Sequence, residues 1–279
     1  MVVRGSWLSC SWLSLLVVAL LPTAHSRSVL ALRGGALSRE EILNKLNKVP
    51  TFAIVDANDN VVPIRTENGA DVCWFTDAAE AKQLLELTMA ANPDKDLQLA
   101  VTPLGAAFLQ CQGFATIGGA ADDSDEPHEG YLHGKLILRG PQKVVDGARD
   151  ELRAQQAAQG IPPGPWVLPV YCHDDFQTPQ LMPMFFSPQD LQAGWVRSGR
   201  DADAVPEQLA MMDLRVLVKQ MAETEVFDWK IFTFVSSEEA YALAAELMAQ
   251  RKAGDLGAVG GEPDGVAGVG DDDADDVLD

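Results

Sequence analysis

The sequence has few of the residues from which disulfide scaffolds and metal sites are built. It contains four cysteines and four histidines in 279 residues. Cys10 lies in the apolar leader described below, and Cys73, Cys111 and Cys172 are an odd number without C-x-x-C spacing. This pattern indicates neither a disulfide framework nor a zinc motif. We therefore expect no metal ligands and no cofactor-binding residues in this chain.

Basic residues are also scarce. The chain has 21 Lys and Arg against 41 Asp and Glu, which gives a formal net charge of −20. A surface this acidic excludes nucleic acid and anionic lipid as natural partners. Residues 255–279 supply nine acids and no base in a glycine-rich stretch without apolar periodicity. Residues 253–279 are therefore predicted to be a disordered acidic tail.

Long apolar runs are missing except for one near the start, from Leu13 to Leu21. This run is too short to cross a bilayer as a helix, so we expect no integral membrane span. Arg4 precedes the run, and the small residues around Ala24 and Ser26 follow it. Together these features predict a signal peptide over residues 1–26 that is cleaved after Ser26. The alternatives are an uncleaved anchor or a buried first helix.

Residues 27–45 follow the leader and are predicted to be a transit-peptide-like segment. Residues 27–39 contain three arginines and no acid, and they are rich in Ser, Ala, Leu and Gly. A signal peptide followed by such a segment is typical of proteins that enter plastids through the secretory pathway. Arg27 stands where such proteins usually have an aromatic residue. The alternative is a disordered linker in an ordinary secreted protein.

Hydrophobic periodicity predicts the same order of elements twice, in halves at 46–158 and 159–252. Strands are predicted at 49–56, 72–75, 97–101, 135–138, 165–172, 181–186 and 230–235, with helices between them. Leu104 precedes Leu214 by 110 residues, and Phe75 precedes Phe186 by 111. We expect an α/β (α+β) fold, internally duplicated, with a pseudo-twofold pair of small sheets and helices packed on them. The alternative is that any α/β chain can be laid over itself in this way.

The segment from Cys172 to Asp175, Cys-His-Asp-Asp, is the one reactive-looking cluster. Cys172 and His173 are adjacent on an extended chain, so their side chains point to opposite faces and cannot pair directly. A hairpin turn is one interpretation, and a lumenal thiol or metal enzyme centred on this cluster is the alternative. Nucleotide-binding and hydrolase motifs of the P-loop, GxGxxG, GxSxG and HExxH types are missing. We therefore expect no catalytic residues and no enzyme.

Several stretches resemble the family of the twenty-two-kilodalton subunit of the translocon at the inner chloroplast envelope. They are LNKVPTFAIVD at 46–56, CWFTDAAEAKQLL at 73–85, AVTPLGAAF at 100–108, PMFFSPQDLQ at 183–192 and IFTFVSSEEAYAL at 231–243. The resemblance implies a pseudo-twofold α/β fold with apolar clefts and no catalytic residues. It also implies a chaperone-like protein of the plastid (chloroplast) intermembrane space, which binds unfolded preproteins or transit peptides and contacts the outer-membrane import machinery.

Apolar surface is the functional feature that the sequence favours. Met-rich and Phe-rich segments suit surfaces that bind varied partners, by side-chain burial or by strand addition. The alternative for each residue is a place in the core, because a Met stripe at helical spacing is usually buried. The candidate client-binding residues are Phe52, Trp74, Phe108, Met182, Met184, Phe185, Met211 and Met212.

Overall fold

The structure, a computed structural model, describes residues 35–66, 69–114 and 134–258. The predicted signal peptide, the first part of the transit-peptide-like segment, the acidic loop at 118–130 and residues 259–279 of the predicted tail lie outside these ranges. Within the described ranges, none of the helices combines the length and the apolar character that crossing a membrane requires.

The described chain combines helices and strands throughout, as the sequence predicts for an α/β (α+β) fold. The first half contains α1 (Arg39–Leu46), β1 (Pro50–Asp56), β2 (Ile64–Thr66), β3 (Gly69–Phe75), α2 (Ala78–Ala91), β4 (Leu97–Pro103), α3 (Leu104–Gln110), β5 (Gly134–Arg139) and α4 (Gln142–Ala158). The second half contains β6 (Pro169–Cys172), β7 (Met182–Phe185), α5 (Pro188–Arg197), β8 (Ala210–Asp213), α6 (Leu214–Glu223), β9 (Phe232–Val235) and α7 (Glu238–Ala258). The predicted fold class is therefore confirmed.

The two sheets pair their strands in the same way. In the first sheet β1 lies antiparallel between β4 and β3, β3 is parallel to β5, and β2 adds to β3. In the second sheet β6 lies antiparallel between β8 and β7, and β7 is parallel to β9. The register matches as well, since Phe52 pairs with Phe75 and Tyr171 pairs with Phe185. Positions in the two halves can therefore be compared one by one.

This register changes one of the residue offsets between the halves that the sequence predicts. Phe75 is equivalent to Phe185, 110 residues later, and not to Phe186. The Leu104–Leu214 offset agrees with the structure, because each residue begins a helix. Each of them also donates its backbone N–H at 2.8 Å to the carbonyl before the central strand, on Val49 and Leu168. Descent from a duplicated unit and a twofold relation between the halves stay predictions.

Two helices cross from the half in which they begin to the sheet of the other half. α4 follows β5 but packs against β6 and β8, whereas α7 follows β9 but packs against β1, β4 and α2. A central core joins both halves and contains residues of α1, α3 and α6 together with one face of each sheet. The opposite face of the first sheet is covered by α2 and α7, and that of the second by α5 and α4. The crossed helices bind the halves into one body.

Local sequence signals explain where several helices begin. Ser38 and Glu41 form a capping box at α1, Asp77 caps α2, and Ser187 caps α5 with Pro188 in its first turn. Each cap accepts a hydrogen bond from a backbone N–H that has no partner within the helix. The Ser-Pro pair at residues 187 and 188 is a helix-start signal that can be read from the sequence.

Three predicted boundaries differ from the structure. Residues 39–45 were expected in the transit-peptide-like segment, yet they belong to α1, whose Ile42 and Leu46 are fully buried in the central core. The stretch around Met211 was expected to be helical, yet residues 210–213 form β8. α7 continues to Ala258, six residues into the segment expected as a tail. In the first two cases tertiary contacts override the local pattern, with α3 and α6 for α1 and with β6 for β8.

Candidate polypeptide-binding surfaces

The structure places most of the predicted client-binding residues in the core. Six of the eight are buried, namely Phe52, Trp74, Phe108, Met182, Met184 and Phe185, and Met211 and Met212 are half-buried. The reason is the crossed arrangement, because helices cover the outer face of each sheet and the two inner faces share the central core. A client cannot contact the six buried side chains in this conformation. Their role in binding stays a prediction, and accessible apolar surface has to be sought elsewhere.

The turn from Cys172 to Asp175 lacks the features of a reactive centre. Burial raises the pKa of the Cys172 thiol to about 12, with a smaller contribution from the negative charge of Asp174. The Nδ1 atom of His173 accepts a hydrogen bond from the backbone N–H of Asp175 at 3.1 Å, so it caps a short 3₁₀ turn. A thiol with a raised pKa is a poor nucleophile at neutral pH. Among the described residues, no group of three or more His, Cys, Asp or Glu is placed to hold a metal ion. The enzyme alternative is not favoured by this geometry.

The outer face of α7 exposes apolar side chains. Ala240, Leu243 and Ala244 are buried against the first sheet, while Tyr241 is 39% exposed and Met248 is 58% exposed. Tyr241, Ala245 and Met248 are spaced i, i+4 and i+7, so they form one stripe along the helix. Ala242 and Ala249 are also exposed beside it. This helix therefore carries an inner apolar stripe, which is buried, and an outer apolar stripe, which is exposed, although the Tyr241 hydroxyl accepts the backbone N–H of Ser236 at 3.3 Å. We call the exposed stripe the α7 outer stripe.

Acidic side chains surround the α7 outer stripe. Glu238 and Glu239 are paired with Arg197 and Lys82 at 2.5 and 3.7 Å. Glu246 is exposed and accepts a hydrogen bond from Gln250 at 3.1 Å. Among the residues that the structure describes, no cation pairs with the Glu246 carboxylate, which lies two residues from Met248. A basic, apolar segment matches this surface better than an acidic one.

A pocket of about 180 Å³ opens beside α2, on the side of the first sheet where β3 and β5 end. Its apolar wall consists of Phe75, Leu84 and Leu87, of which Phe75 is buried and Leu87 is 60% exposed. Its polar lining comes from α2, β5 and the start of α4. The residues are Glu80, Gln83, Arg139 and Gln142. An apolar wall with few polar groups is the usual make-up of a binding pocket.

The polar lining of this pocket is fixed by its own contacts. A Glu80 carboxylate oxygen accepts the backbone N–H of Gln142 at 2.5 Å, which caps the start of α4. Arg139 donates to the side-chain oxygen of Gln142 and lies 5.7 Å from the centre of the Phe75 ring. Burial raises the pKa of Glu80, and the neighbouring negative charges of Asp77 and Asp146 act in the same direction. The pocket is therefore preorganised, and a nearby cation would relieve the crowding of negative charge.

Sequence reasoning missed both surfaces, although each leaves a signal. The pattern of α2 assigns Ala81, Leu84, Leu85 and Thr88 to a buried stripe, which leaves Leu87 and Met89 without a role in the core. Both are exposed in the structure. On α7, Tyr241 and Met248 likewise fall outside the buried stripe. Large apolar residues that remain after the buried stripe has been assigned are the usable signal.

Comparisons with known proteins give structural neighbours alone. No family model matches the sequence, and no curated protein matches it. Similar solved structures include Anabaena Tic22, described with protein transport, at 18% identity and a TM-score of 0.47, covering 76% of this chain and 98% of that one. They also include Tic22 from Plasmodium falciparum at 14% identity and a TM-score of 0.49, covering 75% of this chain and 98% of that one. Both carry the name of the family that the sequence motifs resemble.

Proposed function

We propose that this protein is a non-enzymatic, chaperone-like component of plastid protein import, and that it binds unfolded preproteins or transit peptides in an envelope intermembrane space. The motifs that resemble the translocon subunit support this proposal, and protein transport is the process named with Anabaena Tic22. The predicted signal peptide and the basic, acid-free segment after it support delivery through the secretory pathway. Outer-membrane import machinery is the proposed fixed partner.

The observation that carries the proposal is the α7 outer stripe. Unfolded polypeptides expose apolar side chains, and an exposed helical stripe with i, i+4 and i+7 anchors can bury them. Complete burial of one methionine side chain contributes roughly 1.5–3 kcal/mol, so Met248 with Tyr241 and the alanines can support weak, reversible binding. The net charge of −20 keeps such a protein from associating with itself. Weak binding of many clients suits an escort better than tight binding of one.

The test is suppression of aggregation without nucleotide. The client is a reduced and alkylated model protein that cannot refold, and light scattering reports its aggregation. Replacing Tyr241→Glu and Met248→Glu together should lower the suppression at least about tenfold, because two charges in the stripe would have to be desolvated on binding. The matched control is Ala154→Glu with Ala157→Glu on the exposed face of α4, which adds the same charge and should leave suppression unchanged.

Two outcomes would contradict this proposal. Failure of the unmodified protein to suppress aggregation or to bind the alkylated client at micromolar concentration would remove the chaperone-like function. Equal losses in the α7 and α4 variants would show that net charge, not the stripe, governs the effect. Circular dichroism should show that both variants remain folded, since exposed substitutions usually change the free energy of unfolding by less than about 0.5 kcal/mol.

The proposed location has its own test. Because Leu37 is buried against the central core and α1 begins at Arg39, the delivery signal should lie before Leu37. A fluorescent protein fused after residues 1–36 should reach the plastid envelope, whereas a fusion after residues 1–26 should be secreted. Accumulation of the longer fusion outside the cell would contradict the location, and replacement of Arg27→Phe shows whether an aromatic residue there is required.

A further inference from the structure

One position in the fold carries an ion pair in the second half and lines a pocket in the first. Leu87 lies ten residues after the cap of α2, and Arg197 lies ten residues after the cap of α5. Gln142 and Glu238 are the first residues of α4 and α7. In the second half Arg197 and Glu238 form an ion pair with 2.5 Å between Nη1 and Oε1. In the first half the equivalent residues, Leu87 and Gln142, line the pocket beside α2.

The equivalence rests on the strands as well as on the helices. Phe75 pairs with Arg139 at the end of β3 and β5, and Phe185 pairs with Val235 at the end of β7 and β9. α4 and α7 each begin three residues after that last pair. The position of Leu84 is taken by Gly194, where a Cβ atom would stand 2.9 Å from the Phe185 ring. The same framework therefore tolerates an ion pair at this position, and folding does not require Leu87 and Gln142 there.

The size of the pocket limits what it can hold. A cavity of about 150 Å³ takes up a benzene molecule in another protein, and this pocket measures about 180 Å³. Its wall offers Phe75, Leu84 and Leu87 for apolar contact. The volume of this open pocket therefore suits one aromatic or leucine-sized side chain.

The charges around the pocket determine which residues can flank the anchored side chain in the bound polypeptide. Glu80 faces the charges of Asp77 and Asp146, against the single cation Arg139. Arg139 is engaged by Gln142 and by the Phe75 ring, and Arg149 pairs with Asp146 at 2.7 Å. The Glu80 carboxylate has acceptor capacity left after binding the N–H of Gln142. An arginine or lysine beside the anchored side chain therefore finds a partner here, and a glutamate is repelled.

We propose that the pocket beside α2 is an anchor site for one aromatic or leucine side chain of a bound polypeptide, in a segment where basic residues flank that side chain. This inference rests on the proposed function, and it adds which kind of client segment the protein binds. The site lies apart from the α7 outer stripe, because Lys82 of α2 faces Glu239 of α7 at 3.7 Å while the pocket lies along the Glu80, Gln83 and Leu87 flank of α2.

The experiment closes the pocket with the ion pair of the second half. Leu87→Arg with Gln142→Glu should form the equivalent pair and fill the opening. Binding is measured by fluorescence anisotropy with a labelled, acid-free peptide that has one phenylalanine between two arginines. The double variant should bind this peptide at least about tenfold more weakly than the unmodified protein. Arg197→Leu with Glu238→Gln changes the equivalent pair of sites and is the matched control, with affinity expected within about twofold.

Two control peptides and a crosslink keep the test independent of how well the variants fold. Glutamates in place of the arginines, or a serine in place of the phenylalanine, should each abolish binding. A peptide with benzoylphenylalanine at the anchor position should crosslink to α2 or β5 of the unmodified protein, as mass spectrometry of the crosslinked fragments reports.

The outcomes separate this inference from the proposed function. An unchanged affinity in the closed variant, or crosslinks confined to α7, would overturn the anchor site while leaving suppression of aggregation by the α7 outer stripe in place. Absence of peptide binding by the unmodified protein would also overturn the anchor site. Loss of suppression by the unmodified protein, by contrast, would overturn the proposed function itself.

Discussion

α4 and α7 occupy equivalent places in the two halves, yet they present different faces to solvent. Each follows the last strand of its own sheet and packs on the sheet of the other half. Their inner stripes are both apolar, with Val145, Ala148 and Leu152 buried in α4. Both helices expose three alanines among the side chains that the structure describes, but the exposed face of α4 also carries Lys143, Asp146, Asp150 and Glu151, whereas that of α7 carries Tyr241 and Met248. Folding therefore constrains the inner faces and leaves the outer faces free for function.

The two helices also differ in how they are held. α4 is joined to the second half by a buried polar network, in which the side-chain oxygen of Gln155 accepts the backbone N–H of Asp213 at 2.9 Å. Asp213 is fully buried and accepts hydrogen bonds from the backbone N–H groups of Leu168 and Arg215 at 3.2 and 2.9 Å. α7 is held by small apolar side chains and by exposed ion pairs such as Arg251–Asp59 at 2.6 Å. Exposed ion pairs contribute little to stability, so α7 relies on packing.

The largest expected effect tests the buried polar network around Asp213, beside α4. Asp213→Ala removes the acceptor for two backbone N–H groups and leaves the buried guanidinium of Arg215 without its carboxylate, which stands 3.9 Å from Arg215 Nε. Removal of one partner of a buried ion pair typically costs about 3–5 kcal/mol in the free energy of unfolding. Urea denaturation followed by tryptophan fluorescence measures this loss.

The equivalent residue in the first half is the control for that prediction. Pro103 pairs with Pro50 as Asp213 pairs with Pro169, and it is exposed. Pro103→Ala should change the free energy of unfolding by less than about 1 kcal/mol. Similar losses for the two variants would show that the strand position, not the polar network, matters, and the contrast between α4 and α7 would disappear.

Much of the fold was predictable because local signals agree with packing. Ser187 and Pro188 define the start of α5, and Asn92 ends α2 as expected. α1 was missed since residues 27–39 have the composition of a targeting segment, and the burial of Ile42 and Leu46 depends on contacts with α3 and α6. β8 was missed because Met211 and Met212 continue the apolar pattern of α6 in sequence. Pairing with β6, a non-local contact, decides the strand.

The candidate surfaces were harder to predict than the fold. Apolar residue types in the sequence do not distinguish a core from a binding surface, and the partner of each helix decides which it is. Phe52 and Phe185 were candidates for a binding surface because they are apolar, but helices cover both. Tyr241 is exposed because α7 uses its opposite face against the first sheet. The opening beside Leu87 follows from a comparison with Arg197, which requires the register of both sheets.

A smaller effect is expected when α4 receives the exposed apolar residues of α7. This change tests the difference between the two helices directly. Asp150, Ala154 and Ala157 are exposed on α4 at the same i, i+4 and i+7 spacing as Tyr241, Ala245 and Met248. Asp150→Tyr with Ala157→Met therefore recreates the stripe, and it should raise the number of unfolded segments bound per protein from about one to about two. Analytical ultracentrifugation with the labelled, alkylated client measures this ratio.

The control variant Asp150→Asn with Ala157→Gln removes the same charge without adding apolar surface, and it should leave the ratio unchanged. If the transplanted stripe adds no binding while the variant stays folded and monomeric, then the acidic residues beside α7 are required together with the stripe, and apolar exposure alone does not explain why α7 differs from α4.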